Sequence, residues 1–157
     1  SGPFEIPFRH MVTAVQIARG DQEGLFQALQ RSGYDITARR EEIIGRARNV
    51  QTWLDKYAPA YVKFQVQESL PAAVKNLSES ERRGLGLLAE RVDDKSAAEI
   101  HDLVYAVAAE EKLDSKKFFQ AIYLAFLGDR QGPKVGWFLS SLERDFVRQR
   151  LVEAAGA

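Results

Sequence analysis

The sequence contains no cysteine, which excludes disulfides, thiolate metal sites and cysteine nucleophiles and suits a reducing compartment. It has two histidines, His10 and His101, and neither has another histidine three or four residues away, so a histidine-rich metal site is not expected. No apolar run approaches the roughly 20 residues that span a bilayer. No basic segment followed by an apolar stretch opens the chain, so no signal peptide is expected either. The opening Ser-Gly-Pro lacks a methionine and reads as the start of a piece of a longer protein. Net charge is missing as well: 22 basic residues balance 22 acidic ones, which argues against a strongly cationic duplex-DNA binder. There is no glycine-rich phosphate loop behind a strand, and no serine, threonine or lysine stands in a nucleophile motif. The adjacent Glu110 and Glu111 point in different directions on a helix and do not make an acid–base pair. No catalytic residue and no cofactor site is expected within these residues.

What remains is 157 residues, 45% of them apolar, enough for one sizeable core. The apolar residues recur at helical spacing almost throughout. Helices are predicted over 7–19, from Asp21 to near Gly33, and over 37–57, where Ile43, Ile44, Ala47, Val50, Trp53 and Leu54 share a face. Within 60–70, Tyr61–Val66 partly alternates like a strand, but no partner strand is in sight, and helix is expected there. Pro71 opens a short helix to Asn76. Ser78 with Glu81 and Ser96 with Glu99 are capping-box signatures for the next two helices. Asp114 or Ser115 caps a further helix that ends at Gly128, and a final helix runs from Pro133 to about Glu153. Seven or eight helices with short links form a compact all-α multi-helix bundle over 1–157, divisible into two closely packed lobes of about 1–76 and 77–157.

Charge is unevenly spread. Residues 37–63 hold six bases against three acids, whereas 79–111 hold nine acids against four bases. A neutral total is therefore compatible with one basic face. Arg39, Arg40 and Arg46, with Arg48, supply donors along one helix; pairing with Glu41 and Glu42 is the competing account of them. The turn 128–138 is richer. Gly132 and Gly136 permit close approach to the backbone. A helix starting at Pro133 offers unsatisfied amides. Arg130 and Lys134 suit phosphates, Arg130 and Gln131 suit base edges, and Trp137 suits either a stacked base or the core.

Four segments carry a family resemblance: IPFRHMVTAVQIARG, TWLDKYAPAYVKF, EIHDLVYAVAAEEKLDSKKFFQAIYLAFLGDRQGPKVGWFLSSL and RDFVRQRLVEA. They resemble the C-terminal anticodon-binding domain of class I lysyl-tRNA synthetases, most specifically over 99–151. The resemblance implies an α-helix cage that holds the anticodon loop of lysine tRNA. It assigns RNA contact to the turn 128–138 and nearby basic helix surfaces, with Arg130, Gln131, Lys134 and Trp137 foremost and Gly132, Pro133, Arg39, Arg40 and Arg46 beside them. It further implies an upstream catalytic domain in the same chain, a cytoplasmic setting, and a parent enzyme that joins lysine to tRNA with ATP and Mg2+ through an adenylate. The HIGH-like and KMSKS-like motifs of that chemistry do not occur in these residues. A helical protein-interaction module, a free-standing homologue without aminoacylation activity and an anticodon domain of glutamate specificity remain as alternatives.

Overall fold

The computed structural model describes residues 5–157; the Ser-Gly-Pro opening lies outside the described residues. Among these the regular structure is entirely helical, with no strand. The helices are α1 (Phe8–Ala18), α2 (Gln22–Arg31), α3 (Arg40–Lys56), α4 (Glu79–Arg91), α5 (Ala97–Glu110), α6 (Ser115–Leu127), α7 (Val135–Ser141) and α8 (Arg144–Gly156). Two 3-10 turns, Ala60–Val62 and Ala72–Asn76, lie between α3 and α4.

The periodicity dictates two apolar clusters. Met11, Val12 and Val15 of α1, Leu25, Phe26 and Leu29 of α2, and Ile43, Val50 and Leu54 of α3 close on one another with Ile6 and Ile36. The second cluster surrounds α6, whose residues from Ala121 to Leu127 are all buried. A helix apolar all round must be wrapped, and α4, α5 and α8 wrap it. Ile17 packs against both clusters. Both predicted capping boxes form: the hydroxyl of Ser78 accepts from the Glu81 amide and that of Ser96 from the Glu99 amide, with each glutamate accepting in return. Asp114 takes the N-cap position of α6, without a side-chain bond.

Two expectations fail. Residues 63–70 are not helical. After the 3-10 turn the chain runs extended, with Val62, Phe64 and Val66 half-buried and Tyr61, Lys63, Gln65 and Gln67 exposed. The alternation was a true period-2 signal. The missing strand partner is replaced by side chains: the Gln16 amide donates to the Val62 carbonyl at 3.2 Å and accepts from the Phe64 amide at 2.9 Å. Farther along, the Gln67 amide donates to Phe126 O at 2.8 Å. Buried Arg150 donates to the Gln67 carbonyl at 2.9 Å and to Ala125 O at 3.0 Å. A lone extended strap is stable once its buried polar groups are paired. Val62 packs on the first cluster and Phe64, Val66 and Leu70 on the second, so the strap ties the two together.

The predicted last helix is likewise broken. Helix α7 starts at Val135, not Pro133, and ends at Ser141; Leu142 is extended and α8 restarts at Arg144. Ser140 and Ser141 both donate their hydroxyls back to the Trp137 carbonyl, a pattern that bends helices. The Arg31 guanidinium then takes the freed Ser141 carbonyl with two bonds, at 2.8 and 3.0 Å. The Ser32 and Ser141 hydroxyls meet at 2.6 Å. This polar contact docks the C-terminus of α7 on α2 and fixes how the two clusters face each other.

Candidate nucleic-acid interface

Helix α6 ends at Gly128, whose left-handed backbone (φ 72°) turns the chain into the segment 129–134. Asp129 accepts from the Arg130 amide at 2.7 Å. The Tyr123 phenol donates to the Pro133 carbonyl, drawing the turn back onto α6. Burial pushes the Tyr123 phenol up to about 12, so it remains a donor at physiological pH. At Gly132 an added Cβ would come within 2.6 Å of the Tyr123 ring, so this glycine lies flat against α6.

The turn forms one wall of a cleft of about 830 Å³. Gln131, Gly132, Pro133, Lys134 and Trp137 line it on that side. The start of α1 faces them with Phe8, Arg9 and His10, and the strap closes the cleft with Tyr61, Lys63, Phe64, Gln65 and Gln67. Three cations, Arg9, Lys63 and Lys134, and one carboxylate, Asp129, are among the lining groups. The cleft is thus cationic although the chain as a whole is neutral.

Trp137 is half-buried. The His10 ring stacks on it at 5.1 Å with 20° between planes, and Lys134 Nζ sits 4.7 Å from the indole centroid. His10 Nδ1 is hydrogen-bonded to the Tyr34 hydroxyl, and its buried Nε2 has no partner. Burial, with the neighbouring Arg9 and Lys134 charges, lowers His10 to about 4, so the ring is neutral at physiological pH. Burial raises the Tyr34 phenol. His101 lies 6.3 Å from the same indole, so both histidines of the chain flank Trp137. Gly136 lets α7 come this close to α5: an added Cβ would lie 2.3 Å from Ala97 O and 2.8 Å from His101 Cβ. The close approach expected at Gly136 is therefore made by a helix, not left open to a ligand.

The predicted residues fall into three groups. Gln131, Gly132, Pro133, Lys134 and Trp137 share the cleft, whereas Arg130 is exposed on the same turn outside the cleft lining. Arg39, Arg40 and Arg46 lie elsewhere, engaged with the protein itself. Arg39 pairs with Glu42 at 3.9 Å. Arg40 pairs with Glu23 at 3.7 Å and covers the Phe26 ring at 3.9 Å. Arg46 donates to the Ile6 carbonyl at 2.6 Å. Arg39 and Arg46 line a separate depression of about 230 Å³ with Glu5, Asp35 and Glu42. Sequence reasoning missed Phe8, Arg9, Trp53, Tyr61 and Lys63, which also line the main cleft. For Tyr61 and Lys63 the signal was the alternation of 61–66, which leaves both exposed.

Among the described residues no group of three or more His, Asp or Glu could hold a metal ion, and no helix is long and apolar enough to cross a membrane. Residues 41–155 match the family model of the anticodon binding domain. The chain is 39% identical to Lysine–tRNA ligase 1 of Methanosarcina acetivorans, over 96% of its own length and 32% of that protein. It is 41% identical to the lysine–tRNA ligase of Archaeoglobus fulgidus, over 96% of the chain and 30% of that protein. It is 34% identical to the enzyme of Thermococcus kodakarensis, over 94% and 29%. The chain spans about a third of the length of the curated relatives it matches. With a helical fold throughout and a match that takes in everything from α3 to the end of α8, this chain belongs to the anticodon-binding domain family.

Proposed function

We propose that this domain binds the anticodon loop of lysine tRNA and serves a class I lysine–tRNA ligase. The observation that carries this is the cleft: Gln131, Lys134 and Trp137 of the turn face Arg9 and Lys63 across one cationic groove. Unpaired loop bases can be stacked and read individually there, while the cations hold phosphates. The lysine assignment has its own support. The family match begins at residue 41, after α1 and α2. The similarity to lysine–tRNA ligases covers 96% of the chain, leaving about six residues unmatched, too few to omit α1. The similarity to lysine–tRNA ligases thus extends over α1, which forms one wall of the cleft.

In this reading the domain supplies tRNA recognition and places the acceptor end, and an upstream catalytic domain of the same chain joins lysine to tRNA with ATP and Mg2+ through lysyl-adenylate. The setting is the cytoplasm, with neither membrane nor DNA as partner.

The test is a titration of this chain with lysine tRNA and with the same tRNA carrying changed anticodon bases. Arg130→Ala relaxes the discrimination between them. Lys134→Ala weakens both about equally and makes binding less salt-dependent. With three phosphates neutralised in single-stranded RNA, log K falls against log salt with a slope of about −2. Equal binding of both tRNAs, unmoved by either substitution, refutes the proposal.

A further inference from the structure

Two of the exposed aromatic rings gather at the main cleft. Phe8 is 52% exposed and Tyr61 71% exposed, and both line the mouth of the cleft with half-buried Trp53. Phe8 meets Trp53 edge to face, with centroids 5.2 Å apart and planes at 75°. Tyr57, the residue that caps the C-terminus of α3, is 74% exposed. Large apolar rings left together in water are unfavourable unless something covers them.

The surroundings select the occupant. Arg9 follows Phe8 at the start of α1, and Lys63 lies two residues beyond Tyr61, where the 3-10 turn passes into the strap. Both cations line the same cleft, with Gln65 and Gln67 next along the strap. Protein-binding patches are depleted of lysine at their centres. Rings interleaved with cations and amides instead match a single-stranded nucleic acid, whose bases stack while its phosphates follow the charges.

We propose that Phe8, Trp53 and Tyr61 form a stacking shelf for one unpaired base of the bound RNA loop, with Lys63 and Arg9 holding the adjoining phosphate. This rests on the anticodon-loop reading and adds a division of labour to it. Every base has a π-face, so the shelf accepts any base and contributes affinity without discrimination. Discrimination belongs to the turn, where Gln131 lines the cleft, Arg130 stands exposed beside it, and both carry directional hydrogen-bonding groups.

The experiment uses this chain and lysine tRNA. Tyr61→Ala and Phe8→Ala each weaken binding about 5- to 100-fold, by the same factor for lysine tRNA and for the anticodon-changed tRNA. Tyr61→Phe, which keeps the ring, binds within about twofold of the parent. In a Trp137→Phe background Trp53 is the single tryptophan, and its fluorescence is quenched on RNA binding. An abasic site at one loop position abolishes the effect of Tyr61→Ala, because the ring then has nothing to stack on.

Failure here is distinct from failure of the broader reading. If the parent chain discriminates the anticodon but both alanine variants bind within about twofold and no abasic position couples to Tyr61, the shelf is refuted and the anticodon assignment stands. If the parent chain shows no preference for lysine tRNA, both fall. If Tyr61→Ala abolishes self-association of the chain and leaves RNA binding unchanged, the rings are a protein interface and the shelf is overturned.

Discussion

Replacing glycine with alanine should have opposite effects at two helical positions, and the difference tests how the cleft floor is built. In an open helix interior alanine is favoured over glycine by roughly 0.5–1 kcal/mol. Gly45, in the middle of α3, has no neighbour within 4 Å of an added Cβ, so Gly45→Ala should be stabilising by that amount. Gly136 has the same local preference but a closed environment. Its Cβ would sit 2.3 Å from the Ala97 carbonyl oxygen, 3.0 Å from the His101 amide nitrogen and 2.8 Å from His101 Cβ. Two of these atoms are backbone and cannot rotate aside. Relief requires α7 to withdraw from α5 by about 1 Å, loosening Val135, Phe138 and Leu139 in the core. Overpacking of this kind costs about 1–3 kcal/mol before the loosened contacts are counted, so the net expectation is a loss of about 2–3 kcal/mol. In a domain of this size that lowers Tm by about 4–12 °C. Thermal and urea unfolding of both variants measure it. A Gly136→Ala protein as stable as the parent but unable to bind tRNA would refute the reasoning, since it would mean that the space beside Gly136 belongs to the ligand.

Two further predictions concern buried polar groups. His10 is lowered to about 4 in the folded chain against 6.5 in the unfolded one, so its contribution is fully present above pH 6.5 and is lost as pH falls from 6.5 towards 4. At about 1.36 kcal/mol per pH unit, discounted for partial solvent screening, the expected loss is about 2 kcal/mol. Urea unfolding at pH 7.5 and 4.5 should show a smaller acid loss in His10→Gln than in the parent; equal losses refute it. Arg150→Met removes the donors to the Ala125 and Gln67 carbonyls, and should destabilise by about 3 kcal/mol and speed amide exchange at Gln67 and Phe64. Unchanged exchange there would show that the strap does not depend on Arg150.

How far the sequence was legible follows the range of each interaction. The capping boxes at Ser78 and Ser96 and the apolar stripes of α5 and α6 are local, and the residues state them directly. The strap was half legible. Its alternation was visible, but its hydrogen-bond partners, Gln16, Phe126 and Arg150, are 48, 59 and 83 residues from their contacts at Phe64 and Gln67. The break after Ser141 was hidden similarly, because its stabilising guanidinium comes from Arg31, 110 residues earlier. Of the candidate residues, the turn 131–137 lies in the cleft because a turn between buried helices has to surface. Arg39, Arg40 and Arg46 were chosen for charge, and charge alone does not reveal that Glu42, Glu23 and the Ile6 carbonyl already engage them.

These ties also hold the walls of the cleft to the rest of the chain. The turn wall is held by Tyr123 on the Pro133 carbonyl. The floor helix α7 is fixed at its end by Arg31 on the Ser141 carbonyl and along its length by close contact at Gly136. The strap wall is held at Phe64 by Gln16 and at Gln67 by Arg150. The floor helix and the strap are thus fastened by partners distant in sequence, and the turn by Tyr123, ten residues before Pro133. On the proposed function, an RNA loop entering this cleft does not have to order the walls, and loop contacts are left to contribute to affinity and discrimination. The same logic separates two kinds of substitution. Changing Lys134 or Tyr61, exposed in the cleft, should alter RNA binding and leave stability nearly intact. Changing Arg31 or Arg150, behind the walls, should lower stability first and weaken binding of all tRNAs together.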